Sequence, residues 1–156
     1  MPFFEQLYPE WKSVQREKYE QLFPQILAFL PSNAEWLDVG IGKGWMEEFF
    51  RKKGVQFKRV VGADISEEAV APRVPWIEYA LSKNFKSEEK FDVVVCWDAL
   101  HLLEEKKIEN FCKKDGIVLV GIPVSKAKLL DSISGTVLAQ GKVGIQEQSC
   151  FVLLKE

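Results

Sequence analysis

Residues 91–97 read Phe-Asp-Val-Val-Val-Cys-Trp, with three consecutive valines at their centre. A strand with one wet face alternates apolar and polar residues, whereas an unbroken apolar run is expected of a strand buried on both faces. A chain holding such a strand must cover it twice, and a mostly parallel sheet with helices packed on each side does so. The rest of the sequence supplies the pieces. Strand-like runs at 34–39, 59–63 (ending at Asp64), 76–81 and 116–122 alternate with helix-like stretches at 45–53, from Ser66 onward, 100–112 and 126–133. Such alternation implies right-handed crossovers between parallel strands. Residues 136–156 read instead as two strands joined by a tight connection near 147–149, the last strand spanning 150–154. With no room for a crossover helix, these two pair antiparallel.

Ahead of the first strand, helical stretches are predicted near 3–8 and 10–30, limited by Pro9 and Pro24, with Leu22, Ile26, Leu27 and Leu30 on one stripe. In the helix at 45–53, Trp45, Met46, Phe49 and Phe50 share a side and Gly54 follows as terminator. Ser66 reads as an N-cap, while Pro72 and Pro75 leave the helix after it little room. At 156 residues the expectation is one domain, with 1–33 as a helical cap and 34–156 as the sheet-bearing core. The predicted fold is α/β: a seven-stranded, mostly parallel sheet with an antiparallel last strand and helices on both faces.

A formal charge of −2 and a pI near 5.6 give no overall attraction to nucleic acid or to an anionic membrane. The basic clusters, such as Arg51-Lys52-Lys53, read as solvated helix faces. The cysteines, Cys96, Cys112 and Cys150, are odd in number and widely spaced, which fits neither a disulfide framework nor a zinc site and points to a reducing compartment. With no signal-peptide pattern and no membrane-length apolar run, the expected location is cytoplasmic, without membrane association and without a bound metal.

The densest signal is Asp38-Val39-Gly40-Ile41-Gly42-Lys43-Gly44, at the end of the first strand and the start of a helix. In an open parallel sheet, ligands bind beyond the carboxyl ends of the strands where the strand order reverses. Glycines there permit left-handed backbone and let the main chain approach a ligand without a Cβ in the way. The dinucleotide fingerprint needs G-x-G-x-x-G, with a small last residue; here the spacing is G-x-G-x-G and Trp45 fills that place, which opposes a nicotinamide cofactor. Asp64 ends the second strand, and a carboxylate there can accept two hydrogen bonds from a ribose diol.

The arrangement resembles the class I S-adenosylmethionine-dependent methyltransferases, Rossmann-like α/β proteins. Asp38 to Gly44 look like their first motif, and Val61-Gly62-Ala63-Asp64-Ile65-Ser66 like their second. Residues 91–101, from Phe91 to His101, are similar to their fourth-strand motif, and residues 114–120 to the fifth. The resemblance covers roughly 34–156, with four motifs in the right order. It implies S-adenosylmethionine as cofactor and S-adenosylhomocysteine as product. By resemblance, Gly40, Gly42 and Gly44 pass along the methionine part with Asp38 near its amino end, Asp64 holds the ribose hydroxyls and Ile65 lies against the adenine. Trp97 and Asp98, at the mouth of the fourth strand, face the methyl group and the substrate. The family usually carries an acid after the third strand to contact the adenine amino group; this chain has Ser82-Lys83-Asn84, leaving Ser82, Asn84 or backbone for that contact.

Methyl transfer from a sulfonium needs positioning above all, and a base only where the acceptor keeps its proton at neutral pH. Asp98 and His101 are the candidates, with a helix N-cap as the competing reading of Asp98 and packing as that of His101. Tyr8 and Trp11 are aromatic candidates to face a sulfonium cation, simple helix packing being the plainer reading of Trp11. No N-P-P-Y tetrad, Pro-Cys pair or long insertion after the fifth strand marks a nucleic-acid base as acceptor. The resemblance therefore implies a methyltransferase acting on an unidentified acceptor, a small molecule ahead of nucleic acid. A module that binds the cofactor and needs a protein partner to act is the alternative.

Overall fold

A computed structural model describes residues 11–104, 106–144 and 148–156. Helix α1 spans Trp11–Ile26, with Pro24 inside its last turn, and tightens into a 3-10 turn at Leu27–Phe29. The helix expected at 3–8, and Tyr8 with it, lie outside the described residues. Strand β1 is Ala34–Val39, α2 is Trp45–Lys52, β2 is Phe57–Asp64, α3 is Glu67–Val70 and β3 is Glu78–Leu81. Strand β4 is Phe91–Trp97 and β5 is Cys112–Pro123; β6 is Thr136–Val143 and β7 is Gln148–Leu154. The connection between β6 and β7 falls earlier than the predicted 147–149, because Gln148 and Ser149 already belong to β7; residues 145–147 are outside the described residues.

The seven strands lie in the order β3-β2-β1-β4-β5-β7-β6. β1 to β5 pair parallel, and β7 runs antiparallel between β5 and β6. The chain winds outward from β1 through β2 to β3, then returns to start the other half at β4. The reversal therefore falls between β1 and β4, where Leu37 stands beside Val94. Alternate residues divide between two cores. Trp36, Val93, Val95 and Leu119 face α1 and α2, meeting Tyr19, Leu22, Ile26, Phe49 and Phe50. Leu37, Val94, Cys96, Val118 and Val120 face the opposite side, with Leu100, Ile108 and Ile133. The three cysteines are free thiols buried in these layers.

Helix α2 shows how local sequence sets an element. Glu47 and Glu48 stand in its first turn and Arg51 and Lys52 in its last, matching the helix dipole. Gly54, at φ 99°, donates to Arg51 O, and Val55 N donates to Phe50 O, which closes the helix with a left-handed glycine as predicted. Ser66 sits at the N-cap position of α3 but makes no side-chain cap bond there.

The covering layer of the second face departs from expectation. The helices predicted at 100–112 and 126–133 are 3-10 segments: Leu100–Leu102, Ile108–Phe111 and Val124–Ser132. Helical segments still cover both faces, but among the described residues only the first face carries α-helices. β5 starts at Cys112, pairing with Phe91, instead of at Gly116, and the 3-10 segment Ile108–Phe111 leads directly into it. Buried Glu109 anchors the result by accepting the Ser134 N–H.

Candidate active site

The glycine loop leaves β1 through three left-handed residues, Gly40, Gly42 and Gly44, with φ of 81°, 59° and 73°. Gly40 N and Ile41 N both donate to Ala63 O, at 2.7 and 3.1 Å, which ties the loop to the end of β2. The three glycines are not equivalent. A Cβ on Gly40 would meet Ala99 Cβ at 2.5 Å, and one on Gly44 would press on Val74 and Ile77 at 3.1 and 3.2 Å. A Cβ on Gly42 would meet nothing within 4 Å. Gly40 and Gly44 are glycine because the protein packs against them; Gly42 faces open space.

Gly42 N also donates to Asp64 Oδ2 at 2.7 Å, while Asp64 Oδ1 accepts from Ile65 N at 2.7 Å. A carboxylate offers about four acceptor positions. Two here fix the side chain beside the loop, and two remain for a ligand. Ile65, 57 % exposed, presents an apolar surface next to it. Ser82 continues from β3 by donating its N–H to Asp64 O, and its hydroxyl is engaged with the backbone of Asn84. Lys43 Nζ clamps the loop to the far end of α3 through Ala71 O at 2.6 Å and Glu68 O at 3.1 Å.

Beneath the loop lie two buried acids. Asp38 is 2 % exposed and Glu47, from α2, fully buried. Their carboxyl groups meet within hydrogen-bonding reach, and burial pushes both above the ordinary carboxylate range, Asp38 well above it. Tyr19 of α1 closes over them, its phenol raised by burial and then by Glu47, Asp38 and Asp98.

At the end of β4, Trp97 lies flat on Gly121 of β5 and edge-on to Tyr19, with ring centroids 6.0 Å apart. It is a wall between α1 and the sheet, with its indole N–H buried and unpaired. Asp98 follows at φ 57°, half-buried, its N–H donating to Gly121 O at 2.6 Å. A left-handed aspartate is uncommon and clusters at functional turns. The N-cap reading of Asp98 fails, since Ala99 occupies that position before Leu100–Leu102. His101 lies in that turn, half-buried, with Nδ1 lacking a hydrogen-bond partner.

A family model for a methyltransferase domain matches residues 11–143. The chain belongs to that methyltransferase family. No curated protein sequence matches it. Among solved structures, an S-adenosylmethionine-dependent methyltransferase from Aquifex aeolicus is similar at a TM-score of 0.71 and 15% identity, covering 93% of each chain. A Haloferax volcanii methyltransferase solved with its activator gives 0.70 at 11% identity, over 97% of this chain and 95% of that one. Magnesium protoporphyrin IX methyltransferase from Synechocystis, solved with bound S-adenosylmethionine, gives 0.67 at 16% identity, over 100% of this chain and 86% of that one. At these identities the likeness is one of fold.

In this methyltransferase, Asp38, the three glycines, Asp64, Ile65 and Ser82 gather at the carboxyl ends of β1 to β3, and Trp97, Asp98 and His101 at that of β4. Trp97 packs its ring against Gly121 and Tyr19, and Gly44 serves the entry into α2 and its packing. Trp11 opens α1. Sequence reasoning missed Glu47 and Tyr19. Glu47 had a visible signal, an acid flanked by Met46, Phe49 and Phe50 on the helix side that packs inward. No helix among the described residues is long and apolar enough to cross a membrane.

Proposed function

We propose that this methyltransferase binds S-adenosylmethionine along the glycine loop and transfers its methyl group to a small-molecule acceptor at the end of β4. The observation that carries the reading is the Gly42–Asp64–Ile65 cradle: a carboxylate fixed by two backbone N–H groups, with acceptor capacity to spare, beside the one loop glycine that opens on free space. Asp64 would hold the ribose diol, Ile65 would lie along the adenine and Gly42 would admit the chain close to its backbone. Asp38 would stand at the amino-acid end. The remaining contact expected of Ser82 would come from its backbone, since Asn84 engages its hydroxyl on both sides.

The cofactor supplies an electrophilic methyl group on a sulfonium; the protein's part is alignment and proton management. Asp98, held by its left-handed turn beyond β4, orients the acceptor. Asp98 or His101 accepts the acceptor's proton where the acceptor still carries one. The short segments after β4 and β5 leave no room for a large recognition domain, which favours a small acceptor reaching the site between them.

A second reading has its own observation. A methyltransferase of the same fold is known with an activator bound, so a protein partner is the alternative route to a complete site. A panel of small amines, phenols, thiols and carboxylates incubated with S-adenosylmethionine, scored by release of S-adenosylhomocysteine, separates the two. Turnover by the purified chain supports the small-molecule reading; turnover only after a second protein is added supports the other.

A further inference from the structure

At the amino ends of the strands, the opposite edge of the sheet from the glycine loop, an open cleft of about 570 Å³ lies between the 28–33 connection into β1 and the start of β5. That volume suits a small ligand. β5 leaves its ladder here: Cys112 pairs with Phe91 and Ile117 with Val93, so Lys113 to Gly116 bulge out opposite Asp92 alone. Bulges re-aim side chains and are over-represented beside functional sites. Only glycine closes this one, since a Cβ on Gly116 would meet Cys112 Sγ at 2.6 Å and Asp92 O at 2.7 Å. Among the described residues, the non-glycine residues with left-handed backbone are Asp98 at the end of β4, Asn33 at φ 50° and Asp115 at φ 66°. The last two both line the cleft, and such conformations cluster at functional sites.

The lining divides by chemistry. Phe29 and Leu30, half-buried, and buried Ile117 give it an apolar wall. Asp92 and Lys113 are committed: Asp92 accepts from Lys113 Nζ at 3.1 Å and from Glu35 N at 2.8 Å. Lys114 and Asp115, both exposed, have no ion-pair or side-chain hydrogen-bond partner among the described residues. Two uncommitted charges of opposite sign beside an apolar wall match a molecule that carries both charges on an apolar body.

We propose that this cleft is a second binding site, taking a small zwitterion with an apolar body, a free α-amino acid with an aromatic side chain. Lys114 meets its carboxylate, Asp115 its ammonium, and Phe29 and Leu30 its ring. The site stands apart from the glycine loop and does not depend on the cofactor reading. Because Lys114 and Asp115 are exposed, each charge contributes only about a two- to fivefold gain in affinity.

The test uses phenylalanine as probe, against 3-phenylpropionate, which lacks the ammonium, and phenethylamine, which lacks the carboxylate. Titrations of the full chain in the presence of S-adenosylhomocysteine, read by backbone amide NMR shifts, give both the place and the affinity of binding. Phenylalanine should move the amides of 28–34 and 113–117 and bind about two- to fivefold more tightly than either analogue. Lys114→Gln should bring phenylalanine down to the level of phenethylamine. Asp115→Asn should bring it down to that of 3-phenylpropionate, and asparagine keeps the left-handed turn. Saturable shifts at 38–44 in place of the cleft would overturn the proposal, as would no saturable shift at the cleft. An analogue binding the wild type as tightly as phenylalanine, or affinity ratios unchanged in both variants, would overturn it too. The wild-type comparison of the three ligands needs no variant, so a poorly folding substitution does not remove the test.

Discussion

The glycine loop allows its packing and ligand roles to be separated by mutation. Gly40 and Gly42 both have left-handed backbone, so an alanine at either position costs about 1–2 kcal/mol for the side chain alone. At Gly42 nothing lies within 4 Å of the new Cβ, and that conformational cost is the whole of the stability effect. At Gly40 the Cβ would come to 2.5 Å from Ala99 Cβ, so the loop or the β4 turn must shift, adding roughly 1–3 kcal/mol of overpacking. Gly42→Ala should therefore lose about 1–2 kcal/mol in urea titration and Gly40→Ala about 2–5 kcal/mol. The order inverts for what each loss means: S-adenosylhomocysteine affinity should fall in Gly42→Ala although the fold is the less disturbed. Gly42→Asn sharpens the comparison, because asparagine tolerates the left-handed region better while projecting further into the open space. Equal destabilisation at 40 and 42, or wild-type affinity in both Gly42 variants, would refute the assignment of that space to a ligand.

Three further outcomes follow from the same geometry. Burial raises both Asp38 and Glu47, so the folded state holds more protons than the unfolded one, and the pair's contribution to stability falls as pH rises from the ordinary carboxylate range toward the raised values. Glu47→Gln should flatten that decline, making the variant more stable than wild type at pH 8 and nearly equal at pH 5; an identical pH slope in urea titrations would contradict the shared proton. Asp98→Asn should leave S-adenosylhomocysteine affinity within about twofold while reducing turnover once an acceptor is found, and loss of cofactor affinity would contradict its place at the acceptor side. Gly121→Val should be among the most damaging single changes, costing about 3 kcal/mol or more, since a Cβ there would lie 2.3 Å from the Trp97 ring; a thermal midpoint near that of wild type would refute the packing.

The fold was legible where the sequence pattern and the buried environment coincide. β1 and β4 have the predicted limits because each apolar run stops at a left-handed residue, Gly40 after β1 and Asp98 after β4. The start of β5 was read four residues too late because Lys113, Lys114 and Asp115 are exposed and polar, yet Cys112 is drawn into the ladder opposite Phe91. The segments after β4 and β5 were read as helices and form 3-10 turns, a difference with no local signal in their residues. In the site, the turn residues were readable because glycine spacing and a strand-end acid are local signals. The pairing of Asp38 with Glu47, and the turning of Trp97 onto Gly121, arise between elements and were not.

The most direct test of the central claim is calorimetric titration of the purified protein with S-adenosylmethionine and S-adenosylhomocysteine, repeated with Asp64→Ala. Wild-type binding of both ligands, weakened about 10- to 100-fold by the substitution while the variant stays folded, is the predicted result. Binding undisturbed by Asp64→Ala would contradict the cradle, and no binding to the wild type would contradict the cofactor reading itself.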